Sequence, residues 1–171
     1  MRRAGAPLAP FALLAALTVA LAGCGLEPMY AGGGSGAVAQ GLAAVEVAPI
    51  EGRAGWLVRN ALRDRLAQSG SAAAPRYRLD VLLDDELEGL GLLTDETVGR
   101  ERRTLRARYQ LVDLARGNIV VDATAGSDAG IDVVSSEFAT IAAEQTALEN
   151  LSREIASQIT TRVALALRDT K

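Results

Sequence analysis

The residue with the most distinctive chemistry is Cys24, the only cysteine in the chain. It follows the small residues Ala22 and Gly23, which come directly after a mainly apolar run at positions 11–21, and two arginines stand close to the N-terminus. A positive start, a short apolar run and small residues before a cleavage point are typical of a secretory signal peptide. Since a membrane-spanning helix needs about 20 apolar residues, this run is too short to span a bilayer. We therefore expect residues 1–23 to be a signal peptide that is removed.

The chemistry that we expect at Cys24 is covalent lipid attachment. The segment Leu21-Ala22-Gly23-Cys24 resembles the bacterial lipobox, which implies S-diacylglycerol on Cys24, cleavage before it and acylation of its new amine. Several acyl chains, at about 0.8 kcal/mol per buried CH₂, make such an anchor effectively permanent. Gly25 stands where an aspartate would resemble the inner-membrane retention signal of enteric bacteria, so we expect the outer membrane. The alternative is an ordinary exported protein with a buried cysteine.

Residues suited to catalysis are scarce. Histidine is absent from the chain, which removes the usual general base, the commonest zinc ligand and every histidine-dependent triad. Adjacent carboxylates, Asp84 with Asp85 and Asp95 with Glu96, could in principle serve glycoside chemistry, but neighbours on a strand point to opposite faces. We interpret them as surface charge. We expect no enzymatic activity, no metal site, no nucleic-acid partner and no cofactor beyond the lipid on Cys24.

Arginines concentrate in a second segment with chemical potential, residues 100–108. Arg102, Arg106 and Arg108 fall on one face of the strand that this segment predicts, because side chains two residues apart on a strand point the same way. Arg78, on the preceding predicted strand, is placed to lie beside them. Guanidinium groups form bidentate hydrogen bonds with phosphate oxygens. These four arginines are therefore candidates for binding a polyanion.

A structural role for the same arginines is the alternative. If the two strands pair about a loop near Leu93, Arg106 lies opposite Asp80, and such cross-strand charge pairs contribute about 0.2–1 kcal/mol each. In that register Arg108 lies near Arg78, a like-charge pair that favours an external anion. Both interpretations stay open at this point.

The mature chain has the size of one domain. Removal of residues 1–23 leaves 148 residues and takes away two of the 18 basic residues, so the formal net charge falls from −3 to −5. With a single cysteine there is no internal disulfide, and the fold must depend on its core. The glycine-rich stretch after Cys24 predicts a flexible tether over residues 24–41. The folded domain is then expected over residues 42–171.

Hydrophobic periodicity predicts the elements of this domain. In chain order we predict a short strand at 45–50, a helix at 55–69, alternating strands at 77–88, 102–111 and 119–125 that form a meander, and a helix from 136 onward. We interpret residues 126–132 as a polar connection. The last helix has an apolar stripe that begins with Phe138 and Ile141, and about 32 residues at 1.5 Å each make it about 48 Å long.

Each predicted element has one apolar face. The most economical way to bury these faces is an α+β two-layer sandwich, in which two helices pack on one face of a four-stranded, mostly antiparallel sheet. The order along the chain is β-α-β-β-β-α. The charged face of the sheet then stays open to solvent.

The mature N-terminus and this element order carry a resemblance to a known family. The segment Cys24–Tyr30, with the sequence Cys-Gly-Leu-Glu-Pro-Met-Tyr, resembles the Cys-Gly-aromatic-x-Pro-Leu-Tyr start of the lipopolysaccharide-assembly lipoprotein (LptE) family, as found in alphaproteobacteria. Leu26 replaces the usual aromatic residue and Met29 replaces the leucine. The order of strands and helices is also that of the family, so the resemblance covers nearly the whole mature chain.

The resemblance implies a lipoprotein on the periplasmic face of the outer membrane. It would sit partly inside a large β-barrel protein as a plug, support the assembly of that barrel, and help it insert lipopolysaccharide into the outer leaflet. Since lipopolysaccharide is polyanionic, Arg78, Arg102, Arg106 and Arg108 are the expected contacts for its phosphates. The alternative is a periplasmic lipoprotein component or lipid carrier of an ABC-type lipid transport system. A carrier would need an apolar cavity between helices and sheet, whereas a plug needs none.

Overall fold

The computed structural model describes residues 36–67, 74–92 and 98–169. These ranges exclude the predicted signal peptide, Cys24 and most of the predicted tether. The residue predicted to carry the lipid therefore lies outside the described part of the chain. The elements of the described part, in chain order, are α1 (Ala37–Ala43), β1 (Val45–Val47), α2 (Gly52–Ala67), β2 (Tyr77–Leu92), β3 (Val98–Asp113), β4 (Ile119–Asp132) and α3 (Glu137–Asp169).

The four strands form one sheet in the order β1-β2-β3-β4. Strand β1 runs parallel to β2, and the other two pairs are antiparallel. A parallel pair needs a crossover connection, and α2 lies in the connection between β1 and β2. The helices pack on one face of the sheet, which confirms the predicted α+β sandwich, with the short helix α1 as an addition.

Alternation along the strands decides which face carries the core. On β3 the residues Leu105, Ala107, Tyr109 and Leu111 are buried, and the residues between them are exposed or half-buried. Side chains of a strand point alternately to its two faces, so the apolar set lies under the helices while the charged set faces solvent. Each fully buried leucine contributes about 1.5–3 kcal/mol relative to an exposed one.

Helix α3 supplies the other half of the core. Its buried side chains recur at helical spacing from Ala147 to Ala164 and include Leu148, Leu151 and Ile155. Helix α2 contributes Val58 and Leu62 to the same cluster. The 33 residues of α3 give it a length of about 50 Å at 1.5 Å per residue, so it runs the length of the sheet as predicted.

Two parts of the fold differ from the sequence-based expectation. Residues 126–132 are not a connection, because β4 continues to Asp132 and pairs with β3 over that whole stretch. Pairing with the long strand β3 supplies backbone hydrogen bonds that stabilise this stretch in spite of its two glycines. Ile131, near the end of β4, is buried. Helix α1 was not predicted; its first five residues fall in the region interpreted as tether, and it packs against α3, with Gly41 close to Leu167.

The first turns of α3 are also more exposed than predicted. Phe138 is 89% exposed and Ile141 is 41% exposed, so the apolar stripe buries its residues only from the third turn onward, apart from Thr140. Trp56, close to the start of α2, is likewise 64% exposed. In both helices the buried residues recur at the predicted helical spacing. That spacing does not indicate where along the helix the packing against the rest of the domain ends.

The turn between β3 and β4 is built as the sequence predicts. Asp113, which is buried, accepts hydrogen bonds at Oδ1 from the backbone N–H groups of Ala115 (2.9 Å) and Arg116 (3.2 Å). Gly117 has a φ of 69°, a conformation that only glycine adopts without strain, and its N–H donates to the carbonyl of Asp113 (2.7 Å). This turn connects the long antiparallel strands β3 and β4.

Candidate functional site: the open face of the sheet

The surface of the sheet that faces away from the helices is the candidate site, here called the open face. It is formed by the side chains that alternate with the buried ones on β2, β3 and β4. Arg78, Arg102, Arg106 and Arg108 all point to this surface and are exposed. The structure therefore brings the four predicted arginines to one face, as their two-residue spacing requires.

The pairing of β2 with β3 differs from the predicted one by four residues. Arg106 lies opposite Asp84, not Asp80, and Arg108 lies opposite Leu82, while Arg78 lies opposite Val112. The predicted like-charge pair of Arg108 with Arg78 is therefore wrong. A shift by an even number of residues keeps the same side chains on the buried face, so the hydrophobic pattern was compatible with either register.

Most of the arginines on the open face have a carboxylate partner. The Nε of Arg78 is 3.0 Å from Asp80, and the Nη2 of Arg108 is 3.1 Å from Asp122 on β4. Arg102 is 3.9 Å from Asp128, at the limit of an ion pair. These pairs are exposed, and such pairs contribute about 0–1 kcal/mol. Most of these arginines thus form ion pairs with acidic side chains of the sheet, as the structural alternative predicts. Strand β4, not β2, supplies most of the acidic partners.

Asp122 is a carboxylate of the open face that accepts hydrogen bonds from two side chains. Gln110 donates from Nε2 to Oδ2 (3.0 Å), and Arg108 donates to the same oxygen (3.1 Å). These hydrogen bonds, first that of Gln110 and then that of Arg108 with its positive charge, hold the pKa of Asp122 below its ordinary value. The carboxylate therefore stays ionised and neutralises part of the positive charge of Arg108.

Arg106 differs from its neighbours on the open face. No carboxylate of the described residues lies within the 4 Å of an ion pair with it, although Asp84 is its partner in the strand register. Gly126 lies opposite it on β4, and an added Cβ there would meet only the Arg106 Cγ at 3.8 Å and a backbone oxygen at 3.9 Å. The guanidinium of Arg106 is thus the one on this face best placed to accept an external anion.

An exposed leucine lies beside these arginines. Leu82 occupies a position of β2 where alternation requires a polar side chain, and it is 73% exposed. Together with Arg106, Arg108 and Thr124 it lines a shallow groove of about 460 Å³ across the open face. Leu82 was not predicted as a site residue, although its place among the polar residues of β2 was a signal in the sequence. The groove offers both guanidinium groups and apolar surface to a ligand.

Arg103 belongs to the opposite face. It forms a bidentate ion pair with Asp85, and its Nη1 donates to the backbone carbonyl of Glu144 in α3 (3.4 Å). The hydrogen bonds that Arg103 donates to Asp85 raise the pKa of Arg103 above its ordinary value, against the smaller opposing effect of burial. Arg103 therefore joins the β2–β3 hairpin to α3 and is not a member of the candidate site.

The interface between helices and sheet is filled by side chains in the part of the chain that the structure describes. The buried cluster runs without interruption from α2 across the sheet to α3 and includes Leu62, Leu79, Leu105 and Ile159. The described clefts lie at the surface and at the edges of the sheet. No group of three or more potential metal ligands is found among the described residues. Among the described residues, this cluster occupies the space between helices and sheet in which a lipid carrier would need an apolar cavity.

Comparison with known proteins identifies the family of this domain. Residues 42–163 match the family model LptE, described as lipopolysaccharide-assembly. The chain belongs to the LptE family. The match covers most of the domain that the sequence predicts, and the suspected resemblance is confirmed. No curated sequence matches the chain at a significant level.

Solved structures share the fold of this LptE-family chain. A candidate lipoprotein from Caulobacter crescentus is 26% identical, with a TM-score of 0.66, and the similarity covers 80% of this chain and 98% of that one. A minor lipoprotein from Acinetobacter baumannii is 16% identical over 71% of this chain and 91% of that one, with a TM-score of 0.56. Lipoprotein B from Nitrosomonas europaea is also 16% identical, with a TM-score of 0.56, over 73% and 85% of the two chains.

Family membership gives the protein a general role in lipopolysaccharide assembly. The LptE family is non-enzymatic, which agrees with the scarcity of catalytic residues in the sequence. Among the helices of the described residues, none combines the length and the apolar content needed to cross a membrane.

Proposed function

We propose that this protein is a lipid-anchored subunit of the machinery that inserts lipopolysaccharide into the outer leaflet of the outer membrane. It sits partly inside the lumen of the large β-barrel that translocates lipopolysaccharide and supports the assembly of that barrel. The family match over residues 42–163 carries this proposal. A filled core and a polar sheet face support it, because a plug needs a compact body and a surface compatible with a polar lumen.

The membrane attachment in this proposal is the lipid on Cys24. The lipobox-like sequence before Cys24 supports S-diacylglycerol and an N-acyl chain on this residue, and two or more chains are enough for stable anchoring. The likeness to solved lipoproteins supports the same attachment. Mass spectrometry of the mature N-terminus tests it: a triacylated Cys24 is expected, and an unmodified Cys24, or an N-terminus elsewhere, would contradict it.

The open face is the proposed contact surface for lipopolysaccharide. Arg106 carries most of this assignment because its guanidinium has no carboxylate partner within 4 Å among the described residues. Arg108 lines the same groove beside Leu82, while Arg78 and Arg102 extend the positive surface along β2 and β3. A guanidinium hydrogen-bonded to phosphate in bidentate geometry, next to apolar surface, suits a phosphorylated amphiphile.

Purification through a C-terminal tag from detergent-solubilised outer membrane tests the partner. A large β-barrel protein in about equal amount is the expected result. Inner-membrane transporter subunits in its place, or no partner, would contradict the plug and favour the transport-system alternative.

Lipopolysaccharide binding is tested separately from barrel binding. Substitution of both Arg106 and Arg108 by glutamate is expected to weaken binding of purified lipopolysaccharide by about tenfold or more, since each charge-assisted hydrogen bond contributes about 1.5–3 kcal/mol. Arg153→Glu makes the same kind of replacement at one residue of α3, in the helix layer, with half the total change of charge, and is expected to leave binding unchanged. Equal binding by all three proteins at moderate salt would remove the arginines from the site without affecting the barrel proposal.

A further inference from the structure

The outer edge of β1, on the side away from β2, carries backbone N–H and carbonyl groups that do not pair with β2. The carbonyl of Ala44 accepts from the N–H of Tyr77 (3.1 Å), and the N–H of Ala48 donates to the carbonyl of Leu79 (3.0 Å). Backbone groups of successive residues on a strand point to opposite sides, so Val45 and Val47, which alternate with these residues, direct theirs away from β2. Among the described residues, β1 has a neighbour in the sheet on one side only.

A cleft of about 520 Å³ lies between this free edge and α2. Val45 and Val47 line one wall, Arg59 and Arg63 of α2 line the other, and Leu66 adds apolar surface. Residues four apart on a helix share one face, so the two guanidinium groups project into the same space. Glu46 also lines the cleft, which thus combines a strand edge, two positive charges, one carboxylate and an apolar wall.

Neither arginine has a carboxylate partner within 4 Å in the described ranges. Arg59 donates from Nε and Nη2 to the carbonyl of Val47, at 3.4 Å in both cases, which is longer than the usual range of about 2.7–3.2 Å for such bonds. Arg63 is exposed. In a mature chain of net negative charge, two adjacent arginines without a close acidic partner favour a carboxylate from another molecule.

We propose that this cleft binds an extended, acidic peptide segment of a partner protein, which adds to the sheet beside β1 as a fifth strand. The outward-facing backbone groups of Val45 and Val47 pair with the backbone of the segment, as in other cases of strand addition, although Val47 is only 5% exposed in the free domain. Arg59 and Arg63 pair with an acidic side chain, and the long bonds from Arg59 to Val47 are exchanged for the new ones. This inference does not depend on the proposed role of the open face, which lies on a different surface.

Binding of a synthetic probe peptide to the full-length protein in detergent tests the inference. The probe is a fluorescent heptapeptide of alternating valine and threonine with a central aspartate. Two control peptides carry a central lysine or N-methyl groups on alternate backbone nitrogens. Fluorescence anisotropy is expected to show binding of the aspartate probe alone, because lysine is repelled by the arginines and N-methylation removes the backbone donors. Equal binding of all three peptides, or no binding at about 1 mM, which corresponds to −4.1 kcal/mol, would overturn the inference.

Variants of α2 locate the site. Arg63→Glu is expected to weaken binding of the aspartate probe by about tenfold or more, because it replaces an attraction by a repulsion. Arg53→Glu is the matched control, since it makes the same charge change on the same helix outside the cleft, and it is expected to bind as the unchanged protein does. Weakening by both variants to the same extent would indicate a general charge effect and contradict the site.

Hydrogen exchange identifies the position of the added strand. Bound probe is expected to slow amide exchange in the backbone segment that contains Val45 and Val47, without changing exchange in β4, whose outer edge at Gly126 is already bonded to Gln158 of α3. Slowed exchange only at β4 would overturn the assignment to β1. A concentration-dependent dimer in light scattering that the probe disrupts would show that a second copy of this chain is the true occupant.

Discussion

The guanidinium of Arg103 holds the carboxylate of Asp85 through two hydrogen bonds, Nε to Oδ1 at 2.8 Å and Nη2 to Oδ2 at 2.7 Å. The pair lies on the helix-covered side of the sheet, where the side chains are 17% and 24% exposed. Because the same guanidinium reaches the carbonyl of Glu144, two strands and the long helix meet at one side chain.

Loss of this contact is expected to destabilise the domain. Arg103→Ala should lower the free energy of unfolding by about 1–3 kcal/mol, since it leaves a partly buried carboxylate without its donors. Arg78→Ala, which removes an exposed pair with Asp80, should cost less than about 1 kcal/mol. Urea denaturation followed by circular dichroism measures both. Similar losses for the two variants would show that the Arg103 contact contributes no more than a surface pair.

The titration of Asp122 should follow the contacts seen in the structure. Its pKa is held below the ordinary aspartate value by Gln110 first and Arg108 second, so its stabilising contacts are present at neutral pH and are lost as the pH falls through this lowered pKa. We expect both Gln110→Ala and Arg108→Ala to raise the pKa of Asp122 toward its ordinary value, because Gln110 supplies the largest single contact and Arg108 supplies both a hydrogen bond and a positive charge. NMR titration of the Asp122 side chain measures these shifts. An unchanged midpoint in both variants would mean that the hydrogen bonds do not persist in solution.

The close approach of α2 to the segment before it should make Gly55 intolerant of a side chain. A Cβ at this position would lie 2.6 Å from the carbonyl oxygen of Ile50, and that oxygen belongs to the backbone. We expect Gly55→Ala to lower stability by about 1–3 kcal/mol, as overpacking commonly does. At Gly130 nothing lies within 4 Å of an added Cβ, so Gly130→Ala should change stability little. Thermal unfolding of both variants tests this expectation. Equal unfolding midpoints for the two variants would contradict it.

The two ends of α3 should respond differently to truncation. Ile155 is fully buried and Phe138 is 89% exposed. Ile155→Ala is expected to cost about 2–5 kcal/mol, whereas Phe138→Ser should stay within about 0.5 kcal/mol, as surface substitutions usually do. Equilibrium unfolding of the two variants in the same buffer tests this. A loss above 2 kcal/mol for Phe138→Ser would mean that the first turns of α3 are packed in solution.

Much of the fold could be predicted because its elements are strongly periodic. The alternation around Leu79 and Leu105, and the helical spacing from Leu148 to Val163, each identify an element and its buried face. The limits of elements were harder, since they depend on contacts with other parts of the chain. Strand β4 continues past Gly126 because β3 pairs with it there. The first turns of α3 stay exposed because, among the described residues, no buried layer packs against them.

The candidate site was predictable in its membership but not in its pairing. Two-residue spacing was enough to place Arg102, Arg106 and Arg108 on one face. It could not show which acidic residues oppose them, because β4 supplies Asp122 and Asp128 and the sequence suggested a shorter β4. The unpaired state of Arg106 therefore became visible only with the true register.

The ion pairs of the open face have a consequence for how the chain folds. Apolar alternation has a period of two, so a hairpin that slips by two or four residues buries the same set of side chains and meets little hydrophobic penalty. The charges distinguish only some of these slips. A slip of two residues in one direction separates Arg108 from Asp122, whereas the opposite slip brings the two residues directly opposite each other but separates Arg100 from Asp132. Weak pairs that add little to the stability of the native state can thus disfavour particular misaligned pairings, so the order of charges contributes to the choice of strand register.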